Sequence, residues 1–430
     1  MLNFINKQIS DIKQKGINIF ISKINILIPL TYNFFIYLPF YIIAIPLVLI
    51  LRILRPFLLI RIGCLISSRI GHFAGNTELY LCEKDFKINV PNCNHIDIFY
   101  FGYRQICNKF LAKKISDLLP IFPKIILEPV INLNKVIPGW EKFEIGQNTE
   151  HDRDVHNLLD KCNIHFSFTN DEILRGDLEL ENLGIPLGSK IVCLFVRDNE
   201  YLLKNFGTGY EYHNYRDCNI YNYLNAANDL TKLGYYVVRM GALVKEKLIT
   251  NNTMIIDYAK SGKRSDFLDI YFAYKCDFVI SSSSGWDSVP SHLFRKPILY
   301  TNVVPIGLLL TFSKNFMLTT RKYFDMKNQK VLKFSEVYNN GHSFYLKNQE
   351  YLNANLKLIE NTPEEISNAV SDMVKFVSNK LILADNENNL QNLFWETFEK
   401  NIINSEYNLH GELKAIMSPS FLSNNKNLID

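Results

Sequence analysis

The stretch Cys276–Tyr300, CDFVISSSSGWDSVPSHLFRKPILY, decides the fold. Phe278–Ile280 read as a buried strand. Ser281–Gly285 follow as a small polar loop. Asp287 or Gly285 caps a short helix, with Pro290 in its first turn, where a missing N–H costs little. Arg295-Lys296-Pro297 ends that helix, and Ile298–Tyr300 begins another strand. A serine loop between a strand end and a helix N-terminus offers free N–H groups, hydroxyls and the positive end of a dipole. Such a place suits a phosphate. Taken alone, the stretch is equally compatible with an ordinary, well-capped βα turn.

Through residues 186–355 the same alternation continues. Lys190–Val196 is a buried strand ending at Arg197-Asp198. Asn219 caps a helix whose apolar positions keep helical spacing, and Gly234 stops it. Tyr235–Val238 is a strand that delivers Arg239 and Gly241 at its carboxyl end. Met254–Tyr258 is a further strand candidate, and Ser265 or Asp266 caps a helix running to Lys275. The order β–α–β–β–α–β–α–β predicts a doubly wound, largely parallel sheet, which binds ligands outside the carboxyl ends of its strands. Arg197-Asp198, Arg239 with Gly241, Ser281–Gly285 and Thr301-Asn302 all fall at such ends. That convergence raises the phosphate reading of the serine loop above the plain turn. Walker A and GxGxxG patterns are both missing.

Upstream, residues 57–185 have β–loop–α–β texture. Phe57–Ile62 leads into a glycine-punctuated segment holding Arg69, Gly71, His72, Gly75, Asn76 and Glu78. Gly71 and Gly75 permit close backbone approach or positive φ. His72, between them, is a candidate general base near neutral pH. His95–Gly102 reads as a strand, Asn108 caps a helix over Phe110–Leu119, and Lys124–Leu133 reads as another strand. His151, His156 and His165 show no metal-like spacing and read as surface or linker residues.

At the N-terminus, Ile24–Leu51 is 28 residues without a charge. A span needs roughly 20, but Pro29, Pro39 and Pro46 should break this one into short pieces. Basic residues on both flanks fit a kinked or re-entrant segment with both ends on the cytoplasmic side, with a single span and a buried core helix as the alternatives. At the other end, Thr362-Pro363-Glu364-Glu365 is a strong helix start. A second helix is expected over Asn389–Asn401. Glu412–Phe421 can dock as a final segment, and Ser423–Asp430 should fray.

Composition sets limits. The 430 residues allow two or three domains, and 47% apolar with 21% charged residues excludes a disordered or multi-span chain. A formal net charge of +4 is too small to argue for nucleic acid. The 8 cysteines are scattered without a CxxC pair, which indicates neither a zinc site nor a redox pair.

Several runs together resemble a known group: RIGHFAGNTELYL (69–81), HNYRD (213–217), GYYVVRMG (234–241), residues 276–302, and the apolar N-terminus followed by LRPFLLIRIG (54–63). They are similar to bacterial GT-B glycosyltransferases of surface-polysaccharide and lipopolysaccharide loci. The resemblance implies two Rossmann-like α/β domains with a membrane-associated apolar segment. It divides the chain into residues 1–56, an acceptor domain 57–185, a donor domain 186–355, and C-terminal helices 356–430 packing back on the domain junction. It implies transfer from a nucleotide sugar to a lipid-linked or growing glycan at the cytoplasmic face of the bacterial inner membrane, with no cofactor and no nucleic-acid partner. Carried over, Arg197, Arg216, Arg239, Gly241, Ser283, Ser284, Gly285, Asp287 and Asn302 would hold the donor. Arg69, Gly71, Gly75 and Asn76 would form the acceptor-side loop. His72, Glu78 or Asp198 would serve as base. A DxD-type metal motif is not evident, so metal-independent transfer is expected. The EX7E acid pair of many retaining members is missing, which leaves the stereochemical course open. Pyruvyl or polyol-phosphate transfer on the same frame, and a non-catalytic scaffold, are the alternatives.

Overall fold

A computed structural model describes residues 37–103, 105–145, 153–207, 211–403 and 409–429. The chain forms two compact units, neither of them one continuous stretch. The first comprises Met1–Leu65, Pro91–Gly102 and Leu119–Gly146; the second comprises Ile66–Val90, Tyr103–Leu118 and Gln147–Asp430.

The first unit holds α1 (Tyr37–Leu54) and two parallel strands, β1 (Leu59–Leu65) and β2 (His95–Phe101). Arg61 and Asp97 are register partners, and the guanidinium grips the carboxylate bidentately at 2.7 and 2.6 Å. Lys124–Asn134 is a helix, against the expected strand. Leu127, Val130 and Ile131 are among its buried residues, at helical spacing, and Lys124 pairs with Glu128 one turn on. A short apolar run carries no period that separates the two readings; the i, i+3, i+4 burial decides it.

Pro39 and Pro46 do not interrupt α1, which is continuous over the described residues; Ile24–Ile36, with Pro29, lies outside them. Ala44 and Val48 pack with Ile62, Tyr100, Leu127, Val130 and Ile131 to form the core of this unit. Arg52 pins the end of the helix: Nε donates to Asn134 Oδ1 at 2.8 Å, and the guanidinium also reaches the carbonyls of Ile137 and Pro138. The remaining faces expose Ile42, Ile43, Ile45, Leu49, Ile50 and Ile53, with Phe57 just beyond at 79% exposure. A helix apolar on every side, with mean hydropathy 2.2, is long and apolar enough by composition to cross a membrane.

The second unit is built on a seven-stranded parallel sheet. Its strands are β3 (Lys190–Phe195), β4 (Tyr235–Arg239), β5 (Ile255–Ile256), β6 (Phe278–Ser281), β7 (Ile298–Val303), β8 (Phe316–Thr320) and β12 (Ile416–Met417). Their order is β12-β8-β7-β6-β3-β4-β5, every pair parallel. A separate antiparallel sheet joins β9 (Lys322–Asp325), β10 (Lys330–Val331) and β11 (Leu356–Ile359) in the order β10-β9-β11. Its strands are too short for alternation to announce them. Helices begin where caps predict: Asn108 Oδ1 accepts from Leu111 N–H, Ser265 Oγ from Leu268 N–H, and Thr362 exchanges bonds with Glu365. The helix Pro363–Val377 places Ile366, Ala369, Val370 and Met373 in the core with Ala226, Ala227 and Leu230.

Expectations for the glycine segment and the C-terminus change in this unit. The glycine-rich segment after β1 is not a loop but α2 (Ile70–Asp85), buried from Phe73 to Cys82. Burial of its apolar side chains outweighs the low helix propensity of two glycines, about 1 kcal/mol each. The C-terminus does not fray. Leu428 and Ile429 are buried, and Asn425 donates to Glu365 Oε1 at 3.1 Å.

Candidate functional site

The parallel register brings Phe195 of β3 level with Ser281 of β6, and Leu194 level with Arg239 of β4. The segments leaving these strands diverge around a cavity of about 430 Å³, lined entirely by the second unit. This is the carboxyl edge of the sheet, where open α/β sheets take their ligands.

Ser281–Asp287 form one wall as a self-supporting loop. Asp287 Oδ2 accepts from Ser281 Oγ at 2.7 Å and from Ser284 N–H at 2.6 Å. Ser283 sits at φ 62°, a left-handed conformation uncommon outside glycine, and its carbonyl accepts from Arg216 at 2.6 Å. Asp287 is therefore engaged in shaping the loop rather than free for a ligand. The chain continues through a 3-10 turn (Gly285–Asp287) and a π-type turn (Val289–Leu293), not the regular helix expected. Ser283 and Ser284 still line the cavity.

The N-terminus of α2 supplies the adjoining wall. A methyl group placed on Gly71 would stand 2.8 Å from the Gly285 carbonyl oxygen and 2.9 Å from its Cα. Gly71 is needed for backbone-to-backbone contact with the serine loop, not for positive φ. The contact brings Arg69 and His72 to the cavity. His72 is half-buried, and its Nδ1 has no hydrogen-bond partner among the described residues.

Arg69, Arg153, Arg197, Arg216 and Arg264 line the same cavity. Arg197 pairs with Asp217 at 2.7 Å and donates to the His213 carbonyl. Arg264 pairs with Asp269, and Arg153 donates to the Leu308, Leu309 and Leu409 carbonyls. Arg69 and Arg216 have no ion-pair partner among the described residues. Asp198 accepts from Glu200 N–H at 3.1 Å and Lys245 N–H at 2.9 Å, so both of its oxygens hold loops.

The charge balance shows in the titrating groups. Burial, reinforced by Arg216, Arg197 and Arg69, pushes the His213 imidazole down to about 4. Burial and then Arg216 lower Arg197 to about 10, still a cation at neutral pH. Burial raises Asp217 to about 6 despite its pairing with Arg197. Desolvation thus outweighs attraction for both partners.

Five expected site residues lie elsewhere. Arg239 points to the other side of β4, donating to the Glu246 carbonyl at 2.6 Å and facing Asp257 at 3.5 Å. Asn302 is locked in a buried knot: it donates to Tyr223 Oη and accepts from Asn361 N–H. Asn76 is buried in α2, outside the cavity lining. Glu78 is also remote, accepting from Arg295 at 2.7 Å and bonded to His165 Nδ1 at 3.1 Å. Gly75 is buried one turn beyond Gly71. Gly241, at φ 150°, does line the cavity.

His165 is not a loose linker residue. The Glu78 hydrogen bond, then the nearby charges of Glu78 and Asp85, raise its imidazole against the lowering effect of burial. Sequence reasoning missed Arg153, Arg264, His213, Tyr215 and His292 as lining residues. Only the HNYRD run carried any signal for them.

No family model matches the chain, and no curated protein sequence matches it. Solved structures do resemble it. One is the ADP-heptose LPS heptosyltransferase II of E. coli: TM-score 0.38, 13% identity, over 61% of this chain and 90% of that one. Another is the family 9 glycosyl transferase of Veillonella parvula DSM 2008: TM-score 0.37, 11% identity, over 74% of this chain and 96% of that one.

Gly71→Ala should force α2 off the serine loop, because the atoms its methyl group would meet are all backbone. It should cost about 1–3 kcal/mol in denaturant unfolding and weaken anion binding with it. Pyrophosphate bound in the cavity should offset the arginines and raise the His213 pKa above its value of about 4, read by NMR titration of that imidazole.

Proposed function

We propose that this chain transfers a glycosyl group from a nucleotide-activated sugar to a hydroxyl of a glycan or lipid-linked acceptor. The observation that carries this reading is a pair of guanidinium groups with no ion-pair partner among the described residues, Arg69 and Arg216, beside a serine loop at the carboxyl edge of a parallel sheet. Such a place stabilises a diphosphate.

In this reaction the bond between the anomeric carbon and the diphosphate oxygen breaks, and the acceptor oxygen bonds to that carbon. The electron pair leaves with the nucleoside diphosphate. Arg69, Arg216 and Arg197 oppose the charge developing there, and the hydroxyls of Ser283 and Ser284 add hydrogen bonds. His72 takes the acceptor proton, as its place in the lining allows. No residue of this scheme requires a metal.

The first test is a thermal-shift screen with UDP, GDP, ADP and CMP: one of them should stabilise the protein, and a scaffold would bind none. A donor screen including CDP-polyols and phosphoenolpyruvate separates glycosyl transfer from polyol-phosphate or pyruvyl transfer. His72→Ala should lower kcat about 10²–10⁴-fold; normal turnover removes it as base. Adding Mg²⁺ or Mn²⁺ to chelator-treated enzyme should leave the rate unchanged.

The exposed apolar faces of α1 support a membrane surface, the inner face of the bacterial membrane, as the place of action. Wild-type protein should float with anionic vesicles, and an Ile43→Glu/Ile50→Glu variant should stay in solution. Equal flotation of the two would reject α1 as the attachment.

A further inference from the structure

We propose that Cys82, Cys162 and His165, completed by Asp85, form a structural zinc site at the end of α2 remote from the cavity. One ligand atom from each of the first three lies within 4.8 Å of the others. A tetrahedral zinc with sulfur at about 2.3 Å and nitrogen near ~2.0 Å sets ligand atoms about 3.5–3.8 Å apart, so closing the gap takes about 1 Å of side-chain movement. Asp85 Oδ2 already stands 3.1 Å from His165 Nε2 and 3.3 Å from Cys162 Sγ. Its side chain is half exposed and can turn toward the metal.

The surroundings fit a metal rather than a chance cluster. His165 Nδ1 is held at 3.1 Å by the buried carboxylate of Glu78, which leaves Nε2 as the ligand nitrogen. A carboxylate on the second imidazole nitrogen fixes tautomer and ring orientation in metal-bound histidines. Two thiolates and the Asp85 carboxylate on a dication leave a net negative charge. Arg295 answers it, with Nη2 at 3.5 Å from Cys82 Sγ and 2.7 Å from Glu78 Oε1. Thiolate, imidazole and carboxylate donors together select Zn²⁺ over Mg²⁺ or Ca²⁺. Binding releases both thiol protons and any proton on His165 Nε2.

The ligands come as two short pairs, Cys82 with Asp85 on α2 and Cys162 with His165 in the segment leading to the helix Asn170–Asn182. Arg295, whose Nε donates to the Leu159 carbonyl at 2.8 Å, ties in the turn beyond the serine loop. The metal would therefore join α2 directly to the 162–165 segment and reach the turn beyond the serine loop only through Arg295. Its role is structural, and it takes no part in group transfer.

The test uses the full chain, reduced and desalted after incubation with Zn²⁺ alone. Elemental analysis should find one zinc per chain, and Co²⁺ in its place should give thiolate-to-metal absorption with tetrahedral d–d bands. Cys162→Ser and His165→Gln, both at partly exposed positions, should keep the wild-type circular dichroism and lose the metal. A chelator should lower the wild-type Tm, restored by Zn²⁺, and leave both variants unmoved. Substoichiometric zinc in the reduced wild type, or full occupancy in either variant, overturns the site. So does a resting Cys82–Cys162 disulfide whose reduction yields no zinc uptake. None of these readouts depends on nucleotide binding, so failure of the glycosyl-transfer reading leaves them intact.

Discussion

The second unit depends on one contact that tolerates no side chain: the backbone of α2 at Gly71 against the backbone of the serine loop at Gly285. A methyl group would fill the gap. Because it is absent, the first turn of α2 reaches the carboxyl edge of a sheet whose strands lie far downstream in the chain. His72 and Arg69 reach the cavity by that route, and the buried length of the helix fixes their position.

Electrostatics then separates what shapes the cavity from what is left for a ligand. Carboxylates at its edge are engaged: Asp287 in the serine loop, Asp198 on two loop N–H groups, Asp269 on Arg264. Arg69 and Arg216 are not matched by any of them. The depressed His213 imidazole records the surplus, since burial and three guanidinium groups all disfavour its charged form. A loop held by its own hydrogen bonds is organised before any ligand arrives, which lowers the reorganisation that binding an anion would need.

Much of this was legible from local pattern. The strand–serine loop–strand stretch, the parallel alternation from Lys190 to Tyr300, and the caps at Asn108, Ser265 and Thr362 all express short-range chemistry. Arg197, Gly241 and the serine loop are legible at one sheet edge because strand ends share it, whereas Arg216 enters only through the family resemblance. The misses have physical causes. Arg239 is at a strand end too, but alternation of side chains about the strand turns it toward Asp257. Asn302 is drawn into a hydrogen-bonded knot by Tyr223 and Asn361, partners distant in sequence. Lys124–Asn134 is helical because its buried positions follow that period. The thiol and imidazole cluster was invisible because its two halves are separated by about 80 residues, and neither half has zinc-finger spacing.

By itself the sequence determined the periodicities, the capped helix starts and the polar strand ends, because these depend on residues within a turn or two of each other. It also determined that residues 24–51 carry no charge. Tertiary structure alone decided that the glycine segment is a helix rather than a loop, since burial within the second unit outweighs local propensity. It decided which arginines keep their charge free, because that depends on which carboxylates arrive from elsewhere in the chain. The serine loop is the meeting point of the two: its composition was written locally, and its wall became a site only when Gly71 came down on Gly285.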